Sequence, residues 1–308
     1  SNRINDLAGM LKQADKDELP EIIHIEESES YDVSPSQRRM WLLSQFENAI
    51  NTYNVHWVFN VDGDLNIPAF EKAIKSLVSR HEILRTIYKE DESGNLKQFI
   101  LDAENPIFNL KTIDNFIGGD ERNEKIISII NNCINLNKGP VFKIILIPEE
   151  KYKYQVFIVL HHITSDERTK EIILKELSSY YHSYNNNTPS SILPLDFQYK
   201  EYAHWINNIL SNEMVKGAKE YWSSQLKGNL PALDIPSDLS RPAVFIPKGM
   251  RIHKIIGNKS FTNLKIIARE NNTTIFVVLL AVIKYIIHRY SGQSDLIIGT
   301  PITLRNFT

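Results

Sequence analysis

The stretch YQVFIVLHHITSDERTK, Tyr154 to Lys170, changes character twice. Val156 to Leu160 is an unbroken apolar run rich in β-branched residues, which suits a strand buried on both faces. After Asp166 the apolar residues fall at Ile172, Ile173, Leu174, Leu177 and Tyr180, with charges between them, which is a helical stripe. His161, His162 and Asp166 are therefore expected in the connection between a core strand and the next helix, where a rigid scaffold presents chemical groups. Histidine has an ordinary pKa near neutrality, so it can take or give a proton at working pH. Adjacent side chains in an extended chain point to opposite sides. One of the two histidines is thus expected to face a pocket and the other to pack. Asp166 could orient the imidazole, or turn away to pair with a cation and hold the loop. On its own, this spacing leaves packing, surface and catalysis open. A zinc site needs three or four ligands at coherent spacing, and no second cluster accompanies this one, so no metal is expected.

The chain has 308 residues, of which 42% are hydrophobic and 23% charged, a composition that supports one large or two medium globular domains. A net charge of −2 gives no electrostatic argument for nucleic acid or an anionic membrane. The single cysteine, Cys133, excludes an intrachain disulfide and fits a reducing cytoplasm, the expected location. The N-terminus lacks the basic-then-apolar pattern of a signal peptide. The longest apolar run, Ile275 to Ile287, is interrupted by Lys284 and is too short for a membrane span.

In chain order, Ile4, Leu7, Ala8 and Leu11 have helical spacing, while Pro20 and Glu26 to Glu29 read as linker, giving a first segment of residues 1–22. Ser34, Pro35 and Gln37 make a capping box for a helix carrying Met40, Trp41, Leu42, Leu43 and Phe46. By periodicity Gln37 and Arg38 lie on its polar face. Asn54 to Asp62 reads as a strand with Val55, Trp57, Phe59 and Val61 on one face. Asn66 caps a helix bearing Ile67, Phe70, Ile74 and Leu77. Arg80 to Tyr88 runs into a strand that turns at Asp91 to Asn95 and returns as Leu96 to Leu101. Arg80 and Arg85 are either a solvated pair or anchors for a carboxylate elsewhere, a task suited to the planar guanidinium. A helix is expected over Asp120 to Leu136, broken by Gly139-Pro140. Val141 to Ile147 then pairs with the Val156 strand. This mixed α/β unit, 23–190, ends at the polar linker Asn185 to Ser191. The second unit, 191–308, reads as helices at Phe197 to Trp205 and around Trp222, a strand at Arg251 to Ile256, helices capped by Ser260 and Thr274, and a strand at Asp295 to Gly299. Two short strands cannot bury helices as apolar as Ile275 to Tyr290, so this unit reads as part of something larger.

Five blocks, in order, resemble the condensation domain of non-ribosomal peptide synthetases. Ser34 to Leu43 looks like its Ser-x-x-Gln-x-Arg-x-Trp-x-Leu motif, Arg80 to Thr86 like Arg-His-Glu-x-Leu-Arg-Thr, and His161 to Asp166 like the active-site motif. Tyr199 to Trp205 is similar to Tyr-x-x-Tyr-Ala-x-Trp, and Gly299-Thr300-Pro301 with Arg305 to the Gly-Thr-Pro block. The resemblance implies a mixed α/β, two-lobed fold of chloramphenicol-acetyltransferase-like topology, with the second lobe truncated. It implies amide bond formation in a tunnel between the lobes. Acyl or peptidyl donor and aminoacyl acceptor would arrive on 4'-phosphopantetheine arms of upstream and downstream peptidyl carrier domains, beside an adenylation domain of the same module. No cofactor would bind directly. Ile4 to Leu11 is similar to the last helix of an upstream carrier domain.

By the same resemblance His162 is the catalytic histidine, as base, as positioning group or as charge stabiliser. His161 packs into the lobe. Asp166 is structural, paired with an arginine of the Arg80–Arg85 block or beyond. Ser165, Glu167, Thr169, Gln37, Arg38 and Arg305 are tunnel-lining candidates. The family has Gly where this chain has Glu167, and often Ser where it has Thr169. Glu167 could narrow the channel, alter the charge there or point away. The family's second lobe continues past Asn306, so the chain by itself is expected to be inactive. Two other readings are an ester-forming acyltransferase of the same superfamily and a catalytically silent domain that docks carriers or a partner enzyme.

Overall fold

The computed structural model describes residues 20–46, 52–113, 134–211, 215–238 and 252–300, with residues 124 and 128 between them. The chain divides into two compact units, Ser1–Gly217 and Ala218–Thr308. In chain order the first holds β1 (Tyr31–Asp32), α1 (Pro35–Ser44), β2 (Asn54–Asp62), α2 (Ile67–Arg80) and a 3-10 turn (Glu82–Arg85). There follow β3 (Thr86–Glu90), β4 (Leu96–Ile100), β5 (Lys111–Thr112), β6 (Phe142–Glu150) and β7 (Lys153–His161). A second 3-10 turn (His162–Thr164), α3 (Thr169–Asn185) and α4 (Tyr199–Ser211) complete it. One sheet runs β2-β7-β6-β5 and a smaller one β1-β4-β3.

The strand that ends at the histidine pair lies inside the larger sheet, between β2 and β6. All of Val156 to Leu160 is buried, as the apolar run predicts. Alternation sorts its side chains. Val156, Ile158 and Leu160 pack with Phe70, Ile74 and Leu77 of α2 and with Ile173 and Leu177 of α3. Val159 packs the other way, with Tyr88, Leu96, Ile163 and the α1 residues Met40 and Trp41. The sheet is thus a middle layer, with α2 and α3 on one face and α1 with the small sheet on the other. Each buried side chain of this size contributes at most about 1.5–3 kcal/mol. Strand β2 is an edge of the sheet, and it keeps the expected alternation. Val55, Trp57, Phe59 and Val61 lean on the helical layer, while His56, Val58, Asn60 and Asp62 are exposed.

The segment read as a linker at Pro20 to Glu29 is extended but fastened. Trp205 Nε1 donates to the Pro20 carbonyl, Lys200 Nζ lies 2.9 Å from a Glu27 carboxylate oxygen, and the His24 and Phe197 rings sit 4.8 Å apart. These contacts bring α4 into the first unit. Asn185 to Ser191 is exposed, as expected, yet the boundary expected at residue 190 falls inside the first unit. Behind the polar stretch, Lys200, Ala203, Trp205 and Ile209 are all buried. The helix expected at 120–136 lies mostly outside the described residues. Ile134 to Leu136 are not helical, because the Asn135 side chain accepts from the backbone N–H groups of Asn137 and Lys138 and turns the chain there. The helix expected at residues 4–11, Cys133 and Arg305 also lie outside the described residues.

In the second unit, α5 (Lys216–Gln225) begins at the boundary and is followed by α6 (Asn258–Glu270) and α7 (Ile275–Ser291). Helix α6 starts at Asn258 with Gly257 as its cap, before the expected Ser260. Thr274 caps α7 as expected, and Gly292 ends it at φ +70°, a left-handed conformation that glycine adopts without strain. Residues 252–257 and 295–300 are not strands. Ladder formation needs a neighbour to take the backbone hydrogen bonds. Among the described residues these segments have none, and Ile255 is 97% exposed.

Candidate active site

The His pair closes β7, and the register sets Asn54 of β2 opposite His161. The His162 N–H donates to the Tyr53 carbonyl at 2.8 Å, and the chain then turns into the 3-10 segment. His162 Nδ1 lies 2.8 Å from the Ser165 carbonyl oxygen. A carbonyl only accepts, so Nδ1 carries the proton and Nε2 keeps its lone pair in the neutral ring. The side chain is exposed, so that lone pair is available to a reacting group. The turn is pinned from below: the His161 carbonyl accepts from Thr164 Oγ1 at 2.9 Å and from Ser165 Oγ at 3.3 Å.

His161 is 1% exposed and fills the opposite role. Its Nδ1 accepts the Ile163 N–H at 3.0 Å and so braces the same turn. Burial, helped by the nearby His162, lowers its pKa from 6.5 to about 4, so the ring is neutral at neutral pH. One ring of the pair is buried and the other exposed, the alternation expected of an extended chain.

Asp166 and Thr169 are partners. The Asp166 carboxylate accepts from the Thr169 backbone N–H at 3.0 Å and from Thr169 Oγ1 at 2.8 Å, while Thr169 Oγ1 accepts the Asp166 N–H at 2.8 Å. This reciprocal arrangement closes the turn into α3. Thr169, expected to line a channel, is buried and structural instead. A serine hydroxyl would make the same bonds. Glu167 is exposed, and its φ is not positive, so the backbone there does not require glycine.

Asp166 is expected to pair with an arginine of the Arg80–Arg85 block or beyond, and the two guanidinium groups of that block are engaged with other carboxylates. Arg80 Nε lies 3.2 Å from Glu176 of α3, and its Nη1 donates to the Leu193 carbonyl. His81 Nε2 shares Glu176 at 2.6 Å. Arg85 lies 3.6 Å from Glu82 and donates to the Leu101 carbonyl. Arg80 is therefore the anchor for a remote carboxylate that the sequence allowed. Gln37 is also corrected. Rather than lining a channel it is 1% exposed: its Oε1 takes the Ser34 N–H at 2.8 Å and its Nε2 donates to Tyr88 Oη at 3.1 Å. Burial pushes the Tyr88 phenol far up, so it stays protonated. Arg38 is exposed beside a groove lined by Val33, Pro35 and Leu42.

Three contributors were not among the candidate site residues. Glu176 looked like one more polar residue of a helix. The Lys200 side chain is 5% exposed between Glu27 and Glu82. Burial works against its charge, yet the hydrogen bond to Glu27 and the nearby Glu82 outweigh it and raise its pKa. Tyr199, in the Tyr-x-x-Tyr-Ala-x-Trp block, sets its hydroxyl 3.0 Å from Ser34 Oγ, tying α4 to the cap of α1.

A family model described as Condensation domain matches residues 27–307. Surfactin synthase subunit 1 of Bacillus subtilis is 31% identical over 99% of the chain, and bacitracin synthase 1 of Bacillus licheniformis 32% identical over 91%. The chain spans only 8% and 5% of those two proteins. Among solved structures, the X-domain from teicoplanin biosynthesis matches 90% of this chain and 61% of its own, with a TM-score of 0.78 at 19% identity. The epimerization domain from the third module of tyrocidine synthetase B matches 72% of this chain and 50% of its own, with a TM-score of 0.60 at 19% identity. The fold is the mixed α/β, chloramphenicol-acetyltransferase-like fold of these domains.

Proposed function

This chain belongs to the condensation domain family, and we propose that it forms the amide bond of non-ribosomal peptide synthesis. The donor is an acyl or peptidyl thioester on one carrier and the acceptor is an aminoacyl group on a second. The observation that carries this reading is the orientation of His162, with Nδ1–H tied to the Ser165 carbonyl and Nε2 left as an acceptor on an exposed ring.

In the proposed step the acceptor amine attacks the thioester carbonyl. The C–N bond forms and the C–S bond breaks. An amine proton passes to His162 Nε2 and from there to the departing thiolate, which leaves as the free thiol of the donor's phosphopantetheine arm. Proton acceptance by one positioned side chain contributes about 10²–10⁴-fold. Holding two tethered reactants in attack geometry supplies a larger share of the acceleration. Carrier domains that bear the two arms are the expected partners, with an adenylation domain loading the acceptor. The relatives are long synthetases of which this chain spans a small part, which supports that setting.

The test uses the full-length module with a donor-loaded carrier and two alternative acceptor carriers. One bears an amino acid and the other the matching 2-hydroxy acid. Intact-protein mass spectrometry is expected to show transfer to the amine. Transfer to the hydroxyl alone would make the protein an ester-forming acyltransferase. No transfer to either would make it a silent docking domain.

A further inference from the structure

The end of β2 that supports the histidine pair carries an enclosed amide. Asn54 stands opposite His161 in the register. The next pair along, Tyr53 and His162, is joined through the His162 N–H. His161 donates its own N–H the other way, to the Val141 carbonyl at 3.1 Å. Asn54 and His161 thus form a non-hydrogen-bonded pair, the kind whose side chains approach most closely, with Cβ atoms about 4.5–5.5 Å apart. Both project to the face that holds Val159, Ile163 and Trp41, since Val55 and Leu160 turn to the helical layer.

Neither side chain is fully satisfied by the protein. Asn54 Oδ1 and Nδ2 and His161 Nε2 are enclosed and make no hydrogen bond, and Trp41 Nε1 on the same face is in the same condition. His161 Nδ1 is used as an acceptor by the Ile163 N–H, so the proton of the neutral ring is on Nε2. His161 Nε2–H, Trp41 Nε1–H and Asn54 Nδ2 are donors. Asn54 Oδ1 is the acceptor among these enclosed side-chain atoms. Buried polar groups in folded proteins are paired with few exceptions, directly or through an ordered water.

We propose that Asn54 is a positioning residue for His162. Its side-chain oxygen takes the His161 Nε2–H through one bridging water. That bond fixes the His161 ring with Nδ1 toward the Ile163 N–H, and so holds the turn that sets His162 Nδ1–H on the Ser165 carbonyl. The β2 end therefore grips the pair twice, by the Tyr53 carbonyl at His162 and by the Asn54 amide at His161. The proposal rests on His162 being the working residue, but its primary test does not use activity.

The chain is labelled with ¹⁵N-histidine, and the two rings are assigned with His161→Gln and His162→Gln. Long-range ¹H–¹⁵N spectra at pH 7.5 are expected to show His161 protonated at Nε2 and His162 at Nδ1. In Asn54→Leu, which keeps the bulk and removes the acceptor, His162 is expected to lose its single tautomer. In Asn54→Asp, which keeps an acceptor, it is expected to retain it. If Asn54→Leu does not fold, Asn54→Ala takes its place in the comparison. Unchanged His161 and His162 signals in a folded acceptor-less variant would overturn the proposal, as would loss of the His162 tautomer in Asn54→Asp. In the carrier-loaded assay the acceptor-less variant should lower kcat roughly 10- to 100-fold with KM unchanged. If the module shows no activity at all, the spectra still decide the role of Asn54.

Discussion

His161 is one residue through which pH acts on this fold. Its ring is neutral and buried in the folded chain, with a pKa of about 4 against 6.5 for the free side chain. The unfolded chain therefore binds a proton first as pH falls. The stabilising contribution is complete above pH 6.5 and is lost progressively down to about pH 4, a change of about 3 kcal/mol. Urea midpoints measured from pH 7.5 to 4 should show this loss, and His161→Asn should flatten it. An equal slope in that variant would remove His161 as the cause. Glu167 makes a second case at this scale. Its backbone is ordinary and its side chain exposed, so Glu167→Gly should cost about 0.5–1 kcal/mol through added chain freedom and leave the rate nearly unchanged. A large gain in rate would show that the carboxylate had obstructed the site. Strand alternation made the split between His161 and His162 legible in the sequence. The fate of Gln37 was half legible. Its bond to Ser34 follows from the capping-box spacing, whereas its bond to Tyr88 depends on a strand far along the chain that no local pattern announces.

At the scale of elements, two junctions hold the site. The first is the Asp166–Thr169 turn at the start of α3. Thr169→Val keeps the shape and removes both hydroxyl bonds, which should cost about 1–2 kcal/mol, while Thr169→Ser should be near neutral. Equal melting temperatures for the two variants would contradict the role assigned to the hydroxyl. The second is the bridge from the end of α2 to Glu176 of α3. Arg80→Ala should cost about 3 kcal/mol, since it leaves a mostly buried carboxylate with His81 alone. A double-mutant cycle with Glu176→Gln should show clear coupling, and additive effects would mean the pair contributes nothing. Helices α1 to α4 and strands β2, β3, β4, β6 and β7 were legible because caps, turn residues and apolar periodicity agree with one another there. The carboxylates that receive Arg80 and Lys200 were not, because an ion pair across distant elements leaves no mark on local spacing.

At the scale of the whole molecule, the two units differ in what they bury. The first encloses its sheet on both faces. In the second, α7 keeps its cap and its end but leaves Phe276 55%, Ile283 49% and Tyr290 69% exposed. A face of this kind should bind a hydrophobic dye, and Phe276→Lys with Ile283→Lys should reduce that binding with little effect on the unfolding of the first unit. The first compact unit extends one helix past the boundary read at residue 190, and a polar, exposed stretch looks alike whether it separates units or crosses the surface of one. The strands expected at 251–256 and 295–299 failed for a related reason: apolar residues give a strand its tendency, but only a neighbouring strand gives it a ladder. The proposed amide-forming step turns on His162 Nε2 as the acceptor of an amine proton. Its most direct measurement is the rate of transfer between donor- and acceptor-loaded carriers by the full-length module and by its His162→Ala variant. The expected result is a fall of about 10²–10⁴-fold with melting temperature unchanged. A folded His162→Ala protein that transfers at the original rate would contradict it.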